Sequence, residues 1–225
     1  FVKFDFTFWS SSVDNQKLLD LSPHTLSDKY LSYNSTLPGW KIEEPSGYMS
    51  LGKGYSIRSP QEFSQFERSI YEGVFIGVPN NGKVEVDLQE NNRFYLIGNP
   101  YPSAIDADKL INDTGVGALY FWTHNSPPNG SVAGDAKYNY TVADYAVYTL
   151  TGSVATTSGA AAPTGSIAAG QGFFFKASTG SNIVFTNDMR IAGDNTQFFK
   201  TSETSGEANR LWLNFTNTEG AFKQA

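Results

Sequence analysis

The chain has 225 residues, of which 40% are hydrophobic, 15% aromatic and 17% charged, with a formal net charge of −6 and no cysteine. That balance excludes a disordered chain, and the length allows a sizeable core without metals or crosslinks. Disulfides, thiolate zinc sites and cysteine nucleophiles are excluded, and an acidic chain without a Lys/Arg run argues against a nucleic-acid partner.

In chain order, Val2, Phe4, Phe6 and Phe8 alternate with Lys3, Asp5 and Thr7, which predicts a first strand with one buried face. The octet Gly52-Lys-Gly-Tyr-Ser-Ile-Arg-Ser reads as a glycine turn leading into a strand. Ser59-Pro60-Gln61-Glu62 has the form of a helix start, with Phe63, Phe66 and Ile70 at helical spacing behind it. The Asn80-Asn81-Gly82 turn predicts a hairpin that pairs Phe75–Val78 with Val84–Leu88. Ser103-Ala-Ile-Asp106 matches a capping box, and Ala107, Leu110 and Ile111 then form an apolar stripe, so a short helix is expected around 104–112.

Phe94–Ile97, Leu119–Trp122, Phe173–Phe175 and Ile183–Phe185 are nearly continuous apolar runs, as expected of central strands covered on both faces. Residues 151–169 carry no periodicity and read as a surface loop. Leu211, Leu213 and Phe215 alternate with Trp212, Asn214 and Thr216 and predict a late strand. No apolar run approaches the ~18 residues that span a bilayer, so no membrane span is expected.

The octet at Gly52 recurs as Gly170-Gln-Gly-Phe-Phe-Phe-Lys-Ala. Upstream of each copy an aromatic strand runs into a polar turn (Phe6-Thr-Phe-Trp-Ser and Tyr95-Leu-Ile-Gly-Asn), and downstream of each lies another strand (Val74-Phe-Ile and Ile183-Val-Phe). The interval from Trp9 to Gly52 is shorter than that from Asn99 to Gly170, which excludes a solenoid of fixed period and favours duplication with one enlarged loop. The expected fold is all-β: two related β-sandwich or jelly-roll-like units, 1–90 and 91–225, with one or two short helices, packed closely enough to form one continuous structure.

Candidates for chemistry are few. His24 and His124 are the two histidines, and neither sits near a nucleophile elbow. The glycine octets lack the endings of a dinucleotide or phosphate loop. Asp106, Asp108 and Asp113 form the densest acidic cluster and make calcium the one cofactor alternative, although helix capping accounts for the same residues. Trp40, Trp122 and Tyr101, with Trp9 and Trp212, are candidate stacking platforms for glycans, set against the usual fate of such rings in a sheet core. This inventory predicts no enzymatic activity. Glycoside hydrolysis is the enzymatic alternative, because two carboxylates across a groove suffice for it.

Several phrases occur together: Leu96-Ile-Gly-Asn-Pro-Tyr-Pro-Ser-Ala-Ile-Asp-Ala-Asp, Ala118-Leu-Tyr-Phe-Trp-Thr-His-Asn, Asp144-Tyr-Ala-Val-Tyr, Ile167-Ala-Ala-Gly-Gln-Gly-Phe-Phe-Phe-Lys-Ala, Phe185-Thr-Asn-Asp-Met-Arg and Arg210-Leu-Trp-Leu-Asn-Phe-Thr-Asn. Over nearly the whole chain they resemble the conserved region near the C-terminus of large secreted proteins of flavobacteria and other Bacteroidota, which end in a type IX secretion sorting domain. The resemblance implies export across the outer membrane and an extracellular or cell-surface location, and carries no catalytic residues. It also implies that more strands follow Ala225 and that the chain is a piece of a longer protein, consistent with a start at Phe1 that shows no targeting segment. The expected role is a non-catalytic structural or adhesive module whose partners are other copies or other segments of the same surface protein, and glycans. A carbohydrate-binding module is the alternative of a different class.

Overall fold

The computed structural model describes residues 1–134, 136–178, 182–192 and 195, together with the backbone of two late strands, Leu213–Asn217 and Gly220–Gln224. Leu211 and Trp212 lie outside the described residues. The fold is all-β with two short α-helices among those residues, and every strand pairing is antiparallel.

The first sheet is built from β1 (Phe6–Trp9), β2 (Tyr30–Asn34), β3 (Gly39–Ile42) and β4 (Tyr55–Arg58), with α1 (Leu18–Leu21) between β1 and β2. Its spatial order is β1-β4-β2-β3. After β5 (Val84–Val86), the second sheet uses β6 (Phe94–Gly98), β8 (Leu119–Trp122), β9 (Tyr145–Thr149), β10 (Gly152–Val154) and β12 (Gly172–Lys176). Its order is β10-β9-β8-β12-β6. Between β6 and β8 lie β7 (Ile105–Asp106) and α2 (Ala107–Thr114), and β7 pairs with β11 (Ser166–Ile167).

Read outward from its first strand, each sheet runs first strand, last strand, then a hairpin: β1, β4, β2, β3 in one and β6, β12, β8, β9 in the other, where β10 is added beyond β9, and in each a helix follows the first strand. The registers also agree. Trp9 faces Tyr55 and Tyr33 faces Trp40, while Ile97 faces Phe173 and Trp122 faces Tyr145. The two strands that follow the glycine octets therefore hold equivalent places in two sheets of one topology, as duplication requires.

The two copies join reciprocally. Trp9 bridges Gln171 and Lys53 bridges Ile97. Ser10 N donates to Gly170 O at 2.8 Å, and Gly98 N donates to Gly52 O at 3.0 Å. Gly172 lies against Phe8 and Gly54 against Leu96, closely enough that a Cβ on either glycine would fall within 3.0 Å of the facing residue. Each contact has its mirror in the other copy, as a local two-fold axis between the sheets demands. Close backbone approach explains the second glycine of each octet; the first has φ +68° at Gly52 and +66° at Gly170, where L side chains are strained.

Three apolar layers result. Phe8, Leu96, Trp122 and Phe174 meet between the sheets, with Tyr33, Tyr120, Tyr140 and Tyr145 packed on them. Leu18, Leu21, Tyr30, Met49, Tyr55 and Ile57 fill the outer side of the first sheet. On the outer side of the second, Ile97, Leu119, Phe121, Phe173 and Phe175 share one cluster with Leu110 and Ile111 of α2 and with Ile183 and Phe185. Because β12 is buried on both faces, its run Phe173-Phe174-Phe175 is apolar at consecutive positions, as the sequence implied.

Five local expectations differ from the structure. The Asn80-Asn81-Gly82 turn does not close a hairpin: β5 pairs instead with β13 (Ile183–Phe185), in the register Ile183 to Val86. Buried Asn80 explains the diversion, since its side chain donates to Ser11 O and Pro100 O and pins the chain to the first copy's polar turn. Residues 59–70 form no helix; Phe66 and Ile70 are exposed, and Ser59 N is drawn to Asp5 O at 2.8 Å. The helix near 104–112 starts at Ala107 under an Asp106 cap, whose carboxylate accepts from Lys109 N at 3.1 Å, while Ser103 Oγ instead accepts from Arg190 Nε. Residues 151–169 are loop except for β10 and β11, and the first strand begins at Phe6.

Candidate functional site

The expected glycan platforms separate in the structure. Tyr101 is fully buried and donates from its hydroxyl to Gly82 O at 2.6 Å. Trp122 is buried between the sheets and donates Nε1–H to Phe6 O at 3.1 Å. Neither ring face is open to a sugar; both aromatics are core residues whose polar ends find backbone carbonyls. Trp40 is different: it lies on the edge strand β3 and is 47% exposed, with its inner side against Tyr33 and Phe174. The equivalent place in the second sheet holds Tyr145, which packs on Trp122, as does Tyr140 from the enlarged 123–144 connection. The shorter hairpin of the first copy leaves Trp40 open.

The three carboxylates of the acidic cluster do not converge. Asp106 caps α2, Asp108 accepts from Tyr148 OH at 2.8 Å, and Asp113 pairs with Lys109 Nζ at 3.1 Å. Among the described residues no three His, Asp or Glu side chains are grouped to hold a metal ion. Chelation is accordingly expected to leave the melting temperature unchanged in calorimetry; a rise on adding calcium would restore the site, because a ligand bound only by the folded state raises its stability.

His24 lies at the surface, its Nδ1 3.4 Å from Glu62 Oε1. His124, by contrast, is 5% exposed and meets the equally buried Asp5, a pairing between distant parts of the chain that no sequence pattern announced. Its Nδ1 accepts from Phe6 N at 2.9 Å and its Nε2 lies 3.1 Å from Asp5 Oδ1. Asp5 Oδ2 also accepts from Val2 N at 3.0 Å. A histidine–carboxylate pair that serves a nucleophile leaves one ring nitrogen for it. Here the second nitrogen holds the backbone of β1, so the pair fastens the N-terminal segment to the end of β8. His124 has φ +46°, and it packs against the rings of Trp122 and Tyr140.

Tyr140 closes this corner, donating to Phe4 O at 2.9 Å, and burial pushes its hydroxyl up to about 12. Burial does the same to Tyr30, which donates to Ser22 O. The folded state thus favours the neutral phenols over an unfolded value near ~10. Their contribution is intact below that value and is lost as pH climbs through about 12. Tyrosinate absorbance at these residues is expected to appear together with loss of the β circular-dichroism signal. Complete tyrosine titration with the fold intact would contradict this.

Two further buried polar residues tie loops together. Asp144 accepts from Ser126 N and Ser126 Oγ, both at 2.9 Å, and Asn99 Nδ2 donates to Ser103 O, Ile167 O and Ala168 O. An open depression of about 570 Å3 beside β3 is lined by Asp28, Lys41, Ile42 and Glu44, and its charges pair locally, Asp28 with Lys29 and Lys41 with Glu43. The glycine turns at 52 and 170 lead into strands, so they present no helix N-terminus to a phosphate.

No curated protein and no solved structure matches the chain. A family model described as "Domain of unknown function (DUF8693)" matches residues 1–225. With the whole length covered, the chain belongs to the DUF8693 family.

Proposed function

We propose that this chain is a non-catalytic structural or adhesive module of a larger exported surface protein. The observation that carries the reading is His124: the residue best suited to acid–base chemistry has its two nitrogens on Phe6 N and Asp5, inside the core. General acid–base catalysis needs such a group within reach of substrate. The acidic cluster and Asp144 are likewise engaged in capping and loop closure. Support for the location comes from the resemblance of the phrases around Leu96, Ala118, Asp144 and Arg210 to proteins exported by the type IX route.

A screen of the purified chain against polysaccharides, esters and peptides is expected to be blank. Turnover that vanishes in Asp106→Asn or Asp144→Asn, with melting unchanged, would overturn the reading.

One observation favours a second reading, glycan binding. Trp40 offers an open ring face beside the exposed Ile42 on an edge strand, the kind of apolar platform that takes the flat face of a pyranose. Glycan-array signal lost in Trp40→Ala would support it, and an empty array would remove it.

A further inference from the structure

The local two-fold relation leaves one place in the first copy unfilled. Phe75 lies over Gly170 as Phe185 of β13 lies over Gly52, so the 74–78 segment is the counterpart of β13. β13 has a strand partner, β5. The 74–78 segment has none among the described residues, although its far side is held by the first copy's polar turn through Asp14 N to Val78 O and Asn80 N to Ser12 O. Val74, Ile76 and Val78 are consequently 51%, 81% and 74% exposed, an apolar row of a kind that soluble proteins cover.

Chain order says what belongs there. In the first copy the Phe75 segment is followed by β5, and β5 crosses to pair with β13 of the second copy. In the second copy β13 is followed by β14 (Leu213–Asn217), then β15 (Gly220–Gln224). β14 stands in the order where β5 stands. Its sequence Leu213-Asn-Phe-Thr-Asn alternates apolar and polar residues, as Val84-Glu-Val-Asp-Leu does, and β15 is its one strand partner among the described residues. A lone two-stranded hairpin is marginal in water. The operation that relates β13 to 74–78 relates β5 to β14, so the pairing of β5 with β13 has its counterpart in a pairing of β14 with 74–78.

We propose that the 74–78 edge is the docking site of the chain's own strand β14, which pairs with it and covers Val74, Ile76 and Val78. This closes the two copies into a symmetric body in which each supplies a strand to the other.

The absence of native cysteine makes crosslinking a clean test. Ile76→Cys is combined in turn with a single cysteine at each of positions 213–217, and the dilute protein is oxidised. An intrachain disulfide is expected, strongest at alternate positions, since bridging needs Cα atoms within ~7 Å. Disulfide-linked dimers, which would make a second copy the occupant, or no crosslink at any of the five positions, would overturn the proposal. Amide exchange guards against misfolded variants. In the otherwise unaltered chain, Phe215→Asp is expected to speed exchange over 75–78 at least tenfold, with β12 unchanged. Equal exchange at 75–78 in the two proteins would contradict docking.

Discussion

Gly98→Ala is expected to lose about 3 kcal/mol of stability in urea denaturation, the upper end of what overpacking a well-filled site costs. Gly98 and Ser10 are equivalent positions that meet where the two copies cross, and there is room for one side chain between them. A Cβ on Gly98 would collide with Ser10 Cβ and stand 2.8 Å from Gln171 O and 3.0 Å from Gly172 Cα. Two of those neighbours are backbone and cannot rotate away. Ser10→Gly alone should be mild, because the Ser10 hydroxyl is buried without a hydrogen-bond partner. Combined, the two changes move the side chain from one copy to the other, and a coupling of about 1 kcal/mol or more in the favourable direction is expected. A single Gly98→Ala variant within ~0.5 kcal/mol of the parent would mean that the backbones are not held at this separation.

Phe174→Ala carries the other large expected effect, about 3–5 kcal/mol, typical of deleting a buried aromatic. Phe174 projects from β12 into the layer between the sheets, with ring centroids 5.5 Å from Phe8, 5.0 Å from Tyr33, 6.0 Å from Trp40 and 6.1 Å from Tyr145. Three of those four rings belong to the first copy. The cavity left by truncation would therefore open at the join, and neither copy alone could collapse to fill it. Phe66→Ala is the control: Phe66 is 91% exposed, and its loss should fall within ~0.5 kcal/mol. Equal costs for the two variants would contradict a shared aromatic layer.

Much of this architecture was legible in the sequence. The octet at Gly52 and Gly170 located the last strand of each sheet, because close backbone approach and a left-handed turn leave glycine as the residue that fits. The consecutive aromatics of β12 announced a strand covered on two faces. Pairing partners were harder to read. Asn80-Asn81-Gly82 has the local chemistry of a hairpin, yet β5 pairs with β13 because the buried Asn80 amide and the symmetry of the join outweigh a two-residue turn preference. Ser59–Ile70 had helical spacing without a surface to bury it against.

The site was less legible than the fold. Whether a tryptophan is a platform or core depends on which strand carries it: Trp122 sits on β8 inside its sheet, whereas Trp40 sits on the edge strand β3. The meeting of Asp5 and His124 follows from β1 lying beside the second sheet, a placement that only the duplicated topology supplies. Asp106, Asp108 and Asp113 are close in sequence but sit on a helix and its cap, so their side chains spread to separate partners.

The two copies form one body through reciprocal strand contacts and a common aromatic layer. Differential scanning calorimetry tests this most directly. A single transition is predicted, with calorimetric and van't Hoff enthalpies equal, and Phe174→Ala should shift that whole transition downward. Two separable transitions, with Phe174→Ala moving one of them alone, would contradict it.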